Sequence, residues 1–273
     1  MMLGLEYGFM RHAYAAGGAI AVVSAAVGYF VTLRRQAFAA HALSHLGFTG
    51  AAGALLLGVS AYAGLFVFTL AGGLALALAG RRLRERDVGI GMVLMFALGL
   101  GVLFLNLATG NSQSAMGILF GSIVGITSAQ VTLSVAVAAA GLLGLALLYR
   151  PLCYASLDPE AAQARGVNTR RLDLLFITLV AATVAVAVPV IGALLIFALL
   201  IGPPAAAQAL SRSLAGGLLL AVAIGVAVTW AGLAAAYAIG YPASTWIAGL
   251  SFALYLTAQL RRIPISRTST PRS

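Results

Sequence analysis

Nine apolar runs, nearly free of charged residues, are separated by short connections that carry almost every arginine of this 273-residue chain. A helix needs about 20 apolar residues to cross a bilayer, and in hydrocarbon each backbone N–H and C=O must be paired within the protein. The runs cover residues 13–33, 41–59, 62–80, 88–108, 129–149, 172–188, 190–207, 215–239 and 244–260. Each predicts a membrane helix. Together they predict an all-α, polytopic transmembrane bundle of eight to nine spans, forming a single domain over 1–273. Alternating segments of about ten residues, which build outer-membrane barrels, are absent.

Charge then sets orientation. Only 8% of residues are charged and 62% are hydrophobic, whereas soluble domains carry about 25% charged residues. The net charge of +10 comes from sixteen arginines and no lysine. Basic residues concentrate in cytoplasmic loops. With the N-terminus outside, Arg34, Arg35, Arg81, Arg82, Arg84, Arg86, Arg150, Arg165, Arg170, Arg171, Arg212 and the arginines of the tail all fall inside. Arg11 alone falls outside, and the C-terminus is inside. That distribution excludes nucleic acid as a partner and points to membrane lipid.

Residues 111–126 are too short and glycine-rich for an easy span. Gly117, Gly121 and Gly125 recur every fourth residue, a spacing that lets helices approach closely. The segment is read as an outer-side helix or half-span, since a crossing there would reverse every later orientation. Pro189 marks a turn or a broken helix, and Pro203 and Pro204 should end or kink the seventh span before Ala207. The tail, 261–273, is expected to be disordered. No removable signal peptide is expected, the first span serving as insertion signal. Cys153 stands alone, so no intrachain disulfide can form.

His41 and His45 are four residues apart in the second run, so on a helix their imidazoles share one face and can hold one divalent cation. Ser44 and Thr49 lie near the same stripe and add oxygen. A helix-start role, with both rings bonded to neighbouring carbonyls, is the alternative. H-A-L-S-H lacks the glutamate of a zinc-protease motif. Two ligands leave a cation open to exchange, which suits passage better than structural holding.

The longest polar connection, 150–173, contains a short helix in prospect. Asp158 is a good N-cap, Pro159 suits the first position, Glu160 complements the helix dipole and Gly166 ends it. Such a helix could lie on the membrane or dock a partner. The run from Arg81 to Asp87 is read as a solvated topogenic loop. His12 and Cys153 have no partner in sequence. No P-loop, kinase or hydrolase motif is present, so any driving energy must come from another subunit.

Three motifs in order carry a resemblance. L-R-R-Q-A-F-A-A-H-A-L-S-H at 33–45, S-L-D-P-E-A-A-Q-A-R-G-V at 156–167, and V-I-G-A-L-L-I-F-A-L-L-I-G-P-P-A-A-A at 190–207 resemble the ABC-3 metal permeases, the membrane subunits of bacterial zinc and manganese importers. The resemblance implies a homodimer in the bacterial cytoplasmic (inner) membrane. It implies two cytoplasmic ABC ATPase subunits docked on a coupling helix at 158–166, where Asp158, Pro159, Glu160, Arg165 and Gly166 lie. It implies an extracytoplasmic solute-binding protein that delivers Zn2+ or Mn2+ as transported substrate, with no permanently bound cofactor. The family's ligand pair, an acid and a histidine, falls on His41 and His45. Imidazole in place of the usual Asp at 41 predicts a bias to zinc. The chain is read as a transport subunit and not an enzyme. Rival readings are an ABC permease for a siderophore or cobalamin-type cargo, and a self-standing channel or structural membrane subunit.

Overall fold

The computed structural model describes residues 4, 6–79, 86–108 and 125–261, with the side chains of residues 79, 86 and 194 excepted. Ten helices are described: α1 Gly8–Leu33, α2 Ala37–Leu56, α3 Ala61–Ala79, α4 Arg86–Leu107, α5 Ser128–Leu157, α6 Pro159–Ala164, α7 Thr169–Ile191, α8 Ala193–Leu210, α9 Leu214–Ile239 and α10 Ala243–Leu260. No strand occurs among the described residues. All but α6 overlap the nine apolar runs. Six of them, α1, α3, α4, α5, α7 and α9, contain stretches long and apolar enough to cross a membrane. The two histidines of α2 and the polar residues of α10 dilute otherwise apolar helices. The chain is a multi-pass membrane protein.

The helices alternate in direction. Tyr62 at the start of α3 accepts from Gln130 at the start of α5, and His12 near the start of α1 donates to the carbonyl of Ile126. Trp230, late in α9, donates to the carbonyl of Tyr14. These groups mark one end of the bundle. At the other end, Arg34 after α1 pairs with Asp173 in α7, and Gln208 late in α8 donates to Tyr29 and Thr32 of α1. α2 and α4 run parallel, with Phe38 beside Gly91 and Gly53 beside Phe104. α4 therefore ends, and α5 begins, at the same end of the bundle. The half-span expected at 111–126 falls almost wholly on residues outside the described ones, as do the arginines at 81–84 and the tail from 262.

α1 and α7 are the most buried of the six long apolar helices, while α3 and α4 expose most of their apolar surface. Close approach between helices rests on glycine. A Cβ on Gly50 of α2 would strike the carbonyl of Gly64 on α3, and a Cβ on Gly64 would strike the carbonyl of Gly50. Gly28 of α1 meets the carbonyl of Leu200 on α8 in the same way. That carbonyl is the acceptor four residues before Pro204, which has no N–H to offer it.

Three local expectations are corrected. Pro189 neither breaks nor ends a helix: it lies inside α7, and the break falls at Gly192, whose φ of 90° a side chain would oppose. Pro203 and Pro204 lie inside α8, which continues to Leu210. Of the expected end or kink, the end is thus excluded, and the Leu200 carbonyl freed by Pro204 packs closely on Gly28 of α1. The connection from residue 150 is helical at first, since α5 runs through Pro151 to Leu157.

Gly50→Ala should destabilise the protein by about 1–3 kcal/mol through overpacking against Gly64. Gly99→Ala, where nothing lies within 4 Å of the new methyl, should be neutral or stabilising. Thermal unfolding in detergent, compared between the two variants, checks this.

Candidate functional site

α2 leaves α1 through a turn of three residues, in which Arg35 takes φ 55°, the one positive value outside glycine among the described residues. His41 and His45 follow within the first turns of the helix. Their rings lie 4.6 Å apart between centroids and nearly perpendicular at 83°. Phe197 of α8 lies 4.6 Å from the His41 ring. His45 is 8% exposed and His41 half-buried. The Nδ1 atom of each is buried and has no hydrogen-bond partner among the described residues. Helical spacing therefore delivers what the sequence predicts, two imidazoles on one face. The His41 ring packs against Phe197 of α8, and the His45 ring packs against His41.

The oxygens differ from the expectation. Ser44 is fully buried and its hydroxyl donates to the Ala40 carbonyl at 3.3 Å, so its lone pairs remain while its proton is committed. Thr49 donates to the Ala97 carbonyl of α4 at 2.7 Å, which makes it a packing bond between α2 and α4. Among the described residues no group of three or more His, Cys, Asp or Glu is placed to hold a metal ion. A cation at the pair would have two nitrogen donors here, with water or a mobile group completing its shell.

Sequence reasoning overlooked what holds the base of α2. Arg34 and Asp173 form an ion pair, and the Arg34 guanidinium stacks 5.7 Å from the Phe176 ring centre. The signal was present: an arginine closing one apolar run and an acid opening another on the same predicted side. Phe197 carried no signal, because one phenylalanine in an apolar run does not announce which helix it meets.

At the same end lies the short helix α6. The Asp158 carboxylate accepts from the N–H groups of Glu160 and Ala161 at 3.1 and 2.9 Å, and Pro159 occupies the first helical position. The C-terminus closes with Val167 N–H on Ala162 and Gly166 N–H on Gln163, the pairing of a Schellman motif. Gly166 takes φ 83°. Asp158, Pro159, Glu160, Arg165 and Gly166 are exposed, while Ala162 is buried and anchors the helix. Arg165 lies 5.7 Å over the Tyr154 ring. The predicted capping is present residue by residue, and it presents a stiff polar knob outside the apolar bundle.

A family model described as the ABC 3 transport family matches residues 6–262. The chain is 29% identical over 252 residues to the manganese import system permease protein ScaB of Streptococcus parasanguinis, covering 92% of this chain and 90% of that one. It is 27% identical over 234 residues to the manganese transport system membrane protein MntC of Listeria innocua, covering 85% and 83%. A solved structure described as PsaBC from Streptococcus pneumoniae in complex with Fab is similar at a TM-score of 0.83 and 27% identity, covering 93% of this chain and 92% of that one.

Asp158→Ala should cost α6 about 1 kcal/mol through loss of the cap. Gly166→Ala should cost about as much or more, because its φ disfavours a side chain. Faster amide hydrogen exchange confined to 159–167 is the expected readout for both variants.

Proposed function

This chain belongs to the ABC 3 transport family, and on that premise we propose that it is the membrane permease subunit of an ATP-driven importer of divalent metal ions. It works as one half of a homodimer in a bacterial cytoplasmic membrane, with the N-terminus outside and all nine long helices spanning. Alternating helix directions and the arginine distribution support that topology. The observation that carries the reading is the pair His41 and His45, stacked on one face of α2 with His41 against Phe197 of α8 and both Nδ1 atoms buried and unpartnered among the described residues. Polar groups inside membranes are costly and mark function. Ser44 stands beside them as an oxygen donor of the same face. A solute-binding protein delivers the ion from outside.

ScaB and MntC are described as membrane components of manganese import and transport systems, which makes manganese the better supported cargo. One observation favours zinc as a second reading: imidazole at 41 and 45, with no carboxylate beside them in a described cluster, binds zinc more strongly than manganese. An organic cargo such as a siderophore needs no such pair.

ATP hydrolysis belongs to separate cytoplasmic subunits that dock on α6, with Asp158, Pro159, Glu160, Arg165 and Gly166 forming the contact. α6 connects to α7 through residues 165–168. Asp173 in α7 holds Arg34, two residues before the N-cap of α2. A push on α6 thus reaches the base of the histidine helix through one ion pair.

Replacing His41 and His45 together by Ala should abolish uptake of radiolabelled manganese and zinc by cells, with the protein level in the membrane unchanged. Unlabelled zinc in excess should suppress manganese uptake by wild type; manganese uptake indifferent to zinc removes the second reading. Reversing the charges of Asp158 and Glu160 should strip the ATPase from the purified complex. Asp173→Arg should uncouple ATP hydrolysis from uptake, and adding Arg34→Asp should restore coupling in part.

A further inference from the structure

An open apolar groove runs between α5 and α7. Its cavity is about 480 Å3, lined by Val137, Ala140, Gly144 and Leu148 on α5 and by Leu175 and Leu179 on α7. Thr178 and Thr183 also line it, but each hydroxyl donates to its own helix, at the Leu174 and Leu179 carbonyls, 2.8 and 2.9 Å away. The wall therefore presents hydrocarbon with no unsatisfied group, and presents an ion or water with almost nothing to bind.

One end of the groove is charged. Arg150 lies three residues beyond Leu147, which lines the groove, and Arg171 lies four residues before Leu175. On a helix these offsets keep each arginine on the face of its lining leucine, one turn past the groove. α5 and α7 are antiparallel, so both cations stand at the same end, the end that carries α6. Both are exposed, and neither forms an ion pair among the described residues. From Val137 to Leu148 the groove extends about 16 Å at 1.5 Å per residue. That is close to half of the ~30 Å hydrocarbon thickness, the depth of one leaflet.

We propose that this groove is a binding site for an anionic phospholipid. One acyl chain lies between α5 and α7, and the phosphodiester sits between Arg150 and Arg171. Basic residues capping a crevice between membrane helices on the cytoplasmic side suit such a headgroup. A second copy of the chain is the poorer occupant, because the same end also carries Arg165, Arg170 and Arg212 and a copy would bring like charge. The site is separate from α2 and does not depend on which ion is carried.

Native mass spectrometry of the detergent-purified full chain tests this, with phosphatidylglycerol and phosphatidylcholine of matched acyl chains added at equal concentration. Wild type should retain phosphatidylglycerol preferentially. Arg150→Gln and Arg171→Gln should each lower that preference roughly fivefold, the effect expected of one surface arginine on an anionic lipid, and the double variant should lose it. Arg212→Gln, an equal charge change elsewhere at the same end, should leave it intact. Ala140→Phe, which fills the groove from an exposed position, should lower retention of both lipids without lowering the thermal midpoint. Equal retention of the two lipids by wild type overturns the proposal. So does a preference that survives the double variant, or efficient disulfide cross-linking of two copies through Ala140→Cys in a Cys153→Ser background.

Discussion

A polar group carried into hydrocarbon must find its partner inside the protein, because no water is there to supply one. This chain meets that demand chiefly within single helices. Thr69, Ser134, Thr178, Thr183 and Thr229 each donate to the carbonyl four residues back. Where charge is unavoidable, at the base of α1, it is paired: Arg34 holds Asp173 and lies over Phe176. With side chains satisfied locally, helices have no hydrophobic drive toward each other and must gain by close packing. Gly50 against Gly64, and Gly28 against the Leu200 carbonyl, are the places where that packing is tightest.

Some buried polar atoms have no partner among the described residues, the hydroxyls of Ser24 and Ser251 and the rings of His41 and His45 among them, and of these the two histidines share one helix face. Their Nδ1 atoms are buried without a partner, on a helix that is otherwise held firmly by glycine contacts to α3 and by the Thr49 bond to α4. Two unsatisfied nitrogens on one face make a poor stabilising element, and they are the feature on which the proposed cation site rests. The same two residues lower the apolar character of α2, so the helix that carries the imidazole pair is among the least obvious as a span.

The arginine-rich end serves two physical purposes. In membrane proteins generally such charges set orientation, and they are the basis of the orientation proposed for this chain. They also sit beside two elements of different stiffness. α6 is capped at both ends and anchored by Ala162. The α5–α7 groove is open and apolar, and its neighbours Arg150 and Arg171 remain available to solvent or lipid headgroups. With both proposed sites, one cluster of like charge is divided between protein docking and the bilayer surface.

The sequence by itself determined the helices, because a run of apolar residues in hydrocarbon has no other way to satisfy its backbone. It also determined the imidazole pair and the capped helix at 158–166, since both depend on spacing within one turn. It misplaced the effect of proline. Pro189 reads as a turn or break, and Pro203 and Pro204 as an end or kink, yet the helices continue past all three; at Pro204 the freed Leu200 carbonyl packs closely on Gly28 of α1. Tertiary structure alone decided that α4 ends where α5 begins, that Phe197 of α8 closes over His41, and that Arg34 reaches Asp173, 139 residues away. Such contacts join residues with no local relation. They follow from which glycine faces which backbone, and nothing in the order of apolar letters records that.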